Sequence, residues 1–472
     1  MGGQSYRKKM RIFNMLSRHL PLNASWQDLH SIFNDKQLSS FFEGLEKKYD
    51  VIDESDFFSS LVNMSKAGKM PFHRWIRYRE GYSGELVKEI LLRYPIDSKK
   101  EYVMDPMCGS GSSLVAGKQL SIDVLGLDVN AYAVLATNVK CSSYSSTDLK
   151  KIQSYINDFK FIKDSNIDHT LSICDLEKYF PANNLSVVCN IHNWILSTIE
   201  DKKYRDFFLL SLFAILEDCS DRKKDGNGLA TRPSPVSDPI SRMSEQLDMM
   251  FSDISIQQYY NVKCIALDHS ALELSQAAVK MTAITDKSLG SIIFSPPYAN
   301  SFDYFESYKL ELIFGGYTTS KKIKEDKLRL IRNYRISKPI AAKNKLDCVE
   351  NICEEILLRI PEKEAETGVK DSRTRLVPNM LRGYFDDMAT VISQAYNSLN
   401  HNGMMHIVVD QSAYVGVPIP TDLILAHIAE NVGFNVAGII NCRRANTSGQ
   451  QLKKYPYLKS LLRESIVSLC KK

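Results

Sequence analysis

Apolar positions recur at spacings of three and four through SWQDLHSIFNDKQLSSFFEGLEKKYD, which predicts a mainly helical region over residues 1–70 with Ser25 as its first cap. The run GELVKEILLRY (84–94) repeats that period and predicts a further amphipathic helix, broken by Pro95 and Asp97. From residue 101 the pattern changes. EYVM (101–104) and 123–127 are short apolar runs, each followed by a helical stretch, 112–120 and 130–139. A strand, a turn bearing glycines (105–111), a helix, a strand and a helix make one βαβ unit that opens a parallel sheet.

Further strands are expected at 262–268, 291–295 and 404–410, and a terminal hairpin or antiparallel pair at 434–442 and 464–470. About 120 residues, 141–260, separate the second and third strands and are helical in pattern. After the helical runs they pass through DRKKDGNGLATRPSPVSD (221–238), whose Gly, Pro and Ser predict an exposed loop. A second insertion runs from about 315 to 375. No internal repeat is present.

With 472 residues, 44% of them apolar, the chain can bury a large core without a disulfide or metal staple. No apolar run approaches the roughly 18 residues of a membrane span. The N-terminus is basic but lacks an apolar core and cleavage site, so secretion is not expected. Ten scattered cysteines form no CxxC pair and no zinc spacing, which predicts reduced thiols in a cytoplasmic protein and no metal site. A net charge of +5 is too mild to name a partner, so the distribution of charge matters more.

Two motifs carry chemistry. In DPMCGSGS (105–112) the chain turns on Gly109 and Gly111 into a helix, so backbone approaches a ligand closely and free N–H groups meet an anion. Nineteen residues after Gly109, Asp128 ends the next strand, where a carboxylate suits the hydroxyls of a ribose. The turn lacks GxGxxG, which disfavours NAD, and no GK[ST] follows, which disfavours ATP. The second motif, SPPY (295–298), follows the strand SIIF. Its prolines stiffen the chain and fix the carbonyls, Ser295 accepts hydrogen bonds from an amino group, and the Tyr298 ring can stack on a planar base. Taken alone, each motif is also compatible with a plain tight turn.

Together, D-P-x-x-G-S-G and [DNS]-P-P-[YFW] resemble the signature of S-adenosylmethionine-dependent amino-methyltransferases of DNA. The longer strings SPPYANSFDYFESYKLEL and PFHRWIRYREGYSGELV (71–87) are similar to bacterial site-specific enzymes of that family. The resemblance covers about 71–140, 262–312 and, only topologically, 380–470. It implies a Rossmann-like α/β fold with a mostly parallel sheet and an antiparallel last strand. Residues 1–70 and both insertions lie outside the resemblance. The expected organisation is a helical N-terminal region (1–70), a cofactor-binding half (71–140), a mainly helical insertion that is a candidate for DNA recognition (141–260), a catalytic region (261–314), a basic insertion that is a candidate for DNA binding (315–375) and the C-terminal part of the sheet (376–472).

Carried over by position, the resemblance gives Gly109 and Gly111 the methionine end of the cofactor, with Asp105, Pro106 and Cys108 beside it. Asp128 takes the ribose and Asp268 the adenine edge. Arg74, Tyr78 and Ser83 close over the cofactor; a plain surface helix is the alternative there. Ser295, Pro296, Pro297 and Tyr298 hold a flipped base, whose exocyclic amine attacks the sulfonium methyl in line. Within the family, Ser at the first position goes mainly with cytosine N4, and Asp mainly with adenine N6.

From Thr318 to Lys345 stand ten Lys or Arg against two acids. Lys321, Lys322, Lys324, Arg329, Arg332 and Arg335 are therefore candidates for tracking DNA phosphates, with the loop 222–235 second and Arg443 and Arg444 third. A solvated helix face is the competing reading. The expected activity is site-specific methylation of double-stranded DNA in a restriction–modification or related system. The expected protein is a cytoplasmic monomer, nucleoid-associated when acting, with a separate cognate endonuclease as a candidate partner. An RNA base, a protein amide and an inactive DNA-binding subunit are the alternatives.

Overall fold

The computed structural model describes residues 20, 24–62, 68–78, 81–160, 175–225, 228–257, 260–299, 303–333, 341, 343–445 and 449–472. In chain order the strands are β1 (Val51–Asp53), β2 (Glu101–Asp105), β3 (Val124–Asp128), β4 (Arg222–Asp225), β5 (Gly228–Thr231), β6 (Cys264–Asp268), β7 (Ser288–Phe294), β8 (Met404–Asp410), β9 (Ser412–Tyr414), β10 (Val417–Ile419), β11 (Asn435–Arg444) and β12 (Arg463–Cys470). Eight of them form one sheet in the order β1-β11-β12-β8-β7-β2-β3-β6. β2, β3, β6, β7 and β8 pair in parallel, β12 runs against both β8 and β11, and β1 lies parallel to β11. This is the expected α/β architecture, mostly parallel with a reversed last strand.

β2 reads YVM at its centre because both its faces are covered: Tyr102, Val103 and Met104 are all buried. One face of the sheet packs on the helices Leu274–Thr285, Val377–Ser398 and Thr421–Val432. The other packs on Gly84–Arg93 and Ser112–Gln119. The latter helix lies so close that a Cβ on Gly117 would come within 2.1 Å of Val124 Cγ2. A third apolar cluster joins the helices Ser146–Phe159, Ala182–Thr198, Lys202–Cys219 and Pro239–Ser255 to Phe72, Trp75 and the chain around Tyr308.

Two stretches depart from the sequence reading. Residues 51–53 lie inside the stretch expected to be helical, yet they add β1 to the sheet edge, in register with Ile439–Asn441. Three residues are too few to show a period of two between helices. The stretch read as an exposed loop contains the hairpin β4–β5, and Lys224 on it is buried against Glu311 and Glu217. Arg222 donates to the carbonyls of Asp221 and Lys178, and Arg232 pairs with Asp218. Of the cations in this second DNA-binding candidate, Lys224 is therefore buried and Arg222 and Arg232 are partly buried and tied to the protein, while Lys223 is exposed.

The reversed strand is anchored by a buried charge cluster. Asp422, 0% exposed, accepts from Gln411 Nε2, Leu423 N, Arg463 Nε and Ser465 Oγ, while Arg463 also reaches Glu46 on the helix Lys36–Lys48. Removing one member of a buried ion pair leaves the other charge uncompensated. Asp422→Ala is expected to destabilise the fold by about 3–5 kcal/mol, read from its urea midpoint against the wild type.

Candidate active site

The five parallel strands around β2 present their carboxyl ends on one edge. Asp105, Asp128, Asp268, Phe294 and Asp410 end β2, β3, β6, β7 and β8 there. After β2 the chain proceeds to β3 and β6 on one side, and then returns to place β7 on the other. Such a switch point opens a crevice outside the strand ends. A cavity of about 580 Å³, open to solvent, lies there. Pro106, Met107 and Gly109 from the β2 turn and Ser295 and Pro297 from the β7 turn line it together.

The turn is held from beneath. Asp105, buried, accepts from Met107 N at 3.0 Å, from Tyr82 Oη at 2.9 Å and from Ser113 Oγ. Burial pushes its pKa up to about 6 against those three donors. Its carboxylate faces the protein, so it shapes the turn and does not line the cavity. Lys140, also buried, donates to the carbonyl of Ser110 at 2.9 Å, and burial lowers its pKa to about 7. Cys108 likewise points inward: a Cβ on Gly126 would sit 2.7 Å from its Sγ. Gly109 has φ +49° and Gly111 φ +86°. A Cβ on Gly111 would collide with Thr137, and one on Gly109 would meet the Tyr78 ring at 2.7 Å.

Asp128 lines the cavity. Its Oδ2 accepts from Gly109 N at 2.9 Å and its Oδ1 from Asn130 N at 2.8 Å. Burial raises its pKa to about 6 despite those donors. Each carboxylate oxygen keeps a second lone pair for a hydroxyl. Beyond it the wall is Val129, Asn130, His269, Ser270 and Ala271.

The structure brings some of the expected residues together and not others. Pro106, Gly109, Asp128, Tyr78, Ser295 and Pro297 share the cavity. Tyr78 stacks on Tyr308, ring centroids 4.8 Å apart. Arg74 is turned away: its guanidinium pairs with Asp253, which also accepts from Phe72 N and Trp75 Nε1. Ser83 caps the helix Gly84–Arg93, its Oγ donating to the carbonyl of Leu61 at 2.6 Å. Asp268 sits at the rim, its Oδ1 held by Arg329 Nη2 at 2.5 Å.

The basic candidates divide in the same way. Arg329 lines the cavity with Leu330 and Ile331, which no motif had marked. Arg332 is fastened to Asp386 and Asp387. Lys321, Lys322 and Lys324 are exposed, and Arg335 lies outside the described residues. Arg443 binds Glu464, and Arg444 donates to the carbonyl of Ser460.

The SPPY turn is clamped at its far end. Tyr298 Oη donates to Glu464 Oε1 at 3.1 Å. Ser412 Oγ and Tyr414 Oη donate to the carbonyl of Ala299 at 3.1 and 2.9 Å. Pro296 is buried and Tyr298 half-buried. No protein hydrogen bond to a described residue commits the Ser295 hydroxyl.

No family model matches the chain. It is similar to the Type II methyltransferase M.BsoBI of Geobacillus stearothermophilus, 26% identical over 90% of this chain and 91% of that protein. It is also similar to the Type II methyltransferases M.AvaI of Nostoc sp. and of Anabaena variabilis, each 27% identical over 86% of this chain and 88% of the relative. A shared name over nearly full length supports a methyltransferase reading of the cavity.

The ring over Gly109 makes a test. Gly316 has φ +69° with open space around it, whereas Gly109 has the Tyr78 ring in the way. Ala at Gly316 should cost about 1 kcal/mol, the left-handed backbone alone. Gly109→Ala should cost about 1–3 kcal/mol more, through overpacking, in the same urea titration.

Proposed function

We propose that the chain is a site-specific DNA methyltransferase of a restriction–modification system, using S-adenosylmethionine and acting on the N4 amine of cytosine. One observation carries the reading. The glycine turn with Asp128, suited to a nucleoside, and the Ser295–Tyr298 turn, suited to an amino group on a base, line or border one cavity. The near full-length likeness to proteins named Type II methyltransferase supports the same class.

The residues present fit the cofactor. The approach to Gly109 is one a Cβ would close, and Asp128 offers acceptors to hydroxyls. Val129 and Ala271 provide apolar wall beyond it. When bound, the cofactor supplies an electrophilic methyl on a sulfonium.

The exocyclic amine of a base is a poor nucleophile, because its lone pair is delocalised into the ring. In this reading Ser295 Oγ and the Pro296 carbonyl accept its two N–H groups and favour a pyramidal nitrogen, which frees the lone pair. The two prolines keep these acceptors fixed, so little reorganisation is needed as charge develops. The Tyr298 ring replaces the stacking that a base loses on leaving the duplex. Ser, being neutral, favours cytosine over adenine within the family resemblance.

Nucleoside mass spectrometry on DNA from a methylation-free host expressing the chain tests this directly. N4-methylcytosine is expected. N6-methyladenine would overturn the base, and absence of any methylated nucleoside would overturn DNA as the substrate.

The ribose assignment has a pH signature. An ionised carboxylate accepts from two hydroxyls more strongly than the protonated acid, and Asp128 has a pKa raised to about 6. Affinity for S-adenosylmethionine should therefore rise about tenfold as pH goes from 5 to 7, by proton linkage. Asp128→Asn should bind weakly and flatten that profile in isothermal titration.

A further inference from the structure

Tyr298 does not stand alone on its turn. Its hydroxyl reaches a carboxylate, Glu464, that is 2% exposed, and Glu464 Oε2 takes Arg443 Nε at 2.5 Å. Glu464 lies on β12 and Arg443 directly opposite it on β11. The β11–β12 register shifts between Asn441 and Arg443. A bulge of this kind re-aims a side chain, and it places Arg443 behind the carboxylate. Asp410, opposite Glu464 on β8, completes the charged end of these three strands.

We propose that Glu464 and Arg443 are positioning residues for Tyr298, fixing from the reversed strand pair the ring against which the target base rests. The inference rests on the reading of Ser295–Tyr298 as the base platform. A hydrogen bond from a phenol to a carboxylate is charge-assisted and directional. Anchored at its para position, the ring has its plane set before a base arrives, and holding reacting groups in place is the main help this chemistry needs. Burial pushes the pKa of this carboxyl up, and Arg443 and the Tyr298 hydroxyl offset part of that by favouring its charged form. Arg443, a DNA-contact candidate by sequence, is thereby given a different task.

The test uses the full chain, unmethylated bacterial DNA and tritiated S-adenosylmethionine. Tyr298→Phe and Arg443→Gln are each expected to lower kcat of the folded protein about tenfold with cofactor Kd unchanged; the thermal midpoint should hold in Tyr298→Phe and fall in Arg443→Gln, which leaves Glu464 buried without its cation. Coupled residues do not add, so the double variant should also lose about tenfold, where independent sites would lose about a hundredfold. Arg443→Lys should recover part of the loss. A purely structural staple would move the thermal midpoint and leave kcat of the folded fraction intact, which overturns the proposal. So does a loss confined to KM for DNA with a reduced salt dependence, the mark of a phosphate contact. Should Arg443→Gln fail to fold, wild-type kcat in Tyr298→Phe alone overturns it. Tyr298→Ala separates the two readings. If it keeps full activity, the base platform itself is wrong. If it is inactive while Tyr298→Phe and Arg443→Gln turn over normally, only the positioning role falls.

Discussion

The carboxylate of Asp105 ties together the pieces of chain that support the glycine turn from beneath. It ends β2, accepts from the backbone of the turn at Met107, from Ser113 in the first turn of the next helix, and from Tyr82 ahead of the helix Gly84–Arg93. Tyr82 Oη also lies 3.3 Å from the carbonyl of Ile293, on β7. Through Tyr82, one buried group therefore links the β2 turn to β7. Burial alone disfavours its charge, and three donors offset much of that cost. No apolar side chain could bring the Tyr82 and Ser113 hydroxyls to one point. That is the physical reason an aspartate stands at the switch point of an otherwise apolar strand.

The same logic governs the cations. The molecule is basic by sequence, yet many of its Arg and Lys residues near the cavity are tied to carboxylates. Arg74 holds Asp253, Lys224 holds Glu311, Arg332 holds Asp386 and Asp387, and Arg443 holds Glu464. The basic stretch beginning at Thr318 is partly a strap: Lys327 binds Asp303 and Glu306, Arg329 binds Asp268, and Leu330 and Ile331 line the cavity between them. Lys321, Lys322 and Lys324 on the same stretch face solvent. A run of like charge says where cations are dense. Whether each one meets solvent or an acid is decided by partners from distant segments.

This explains what could be read in advance. The βαβ unit was legible because its signals are local: an apolar strand, glycines in the turn, an acid at the end of the next strand. The helix Ser112–Gln119 and β8 follow for the same reason. β1 was not, since three residues between helices carry no period. The placement of Ser83 and Arg74 also escaped. Their partners, Leu61 and Asp253, lie 22 and 179 residues away in sequence. A Ser before an amphipathic run is a ready N-cap, so that role could have been assigned to Ser83 from its spacing alone.

The two halves of the site differ in how they are supported. The turn of Gly109 is braced by Asp105, Asp128, Thr137 and Lys140, all within about 40 residues of chain. The Ser295–Tyr298 turn depends on Ser412, Tyr414 and Glu464, separated from their partners by 113, 115 and 166 residues. Local contacts cost little loop-closure entropy and can form early, whereas distant ones wait for the chain between them to order. The glycine turn can thus be shaped largely within one supersecondary unit. The Ser295–Tyr298 turn has all of these partners only when β8, β11 and β12 have closed the sheet behind it. A change anywhere along those three strands reaches Tyr298 through Glu464, while the glycine turn sits four strands from β11 and is held by other groups.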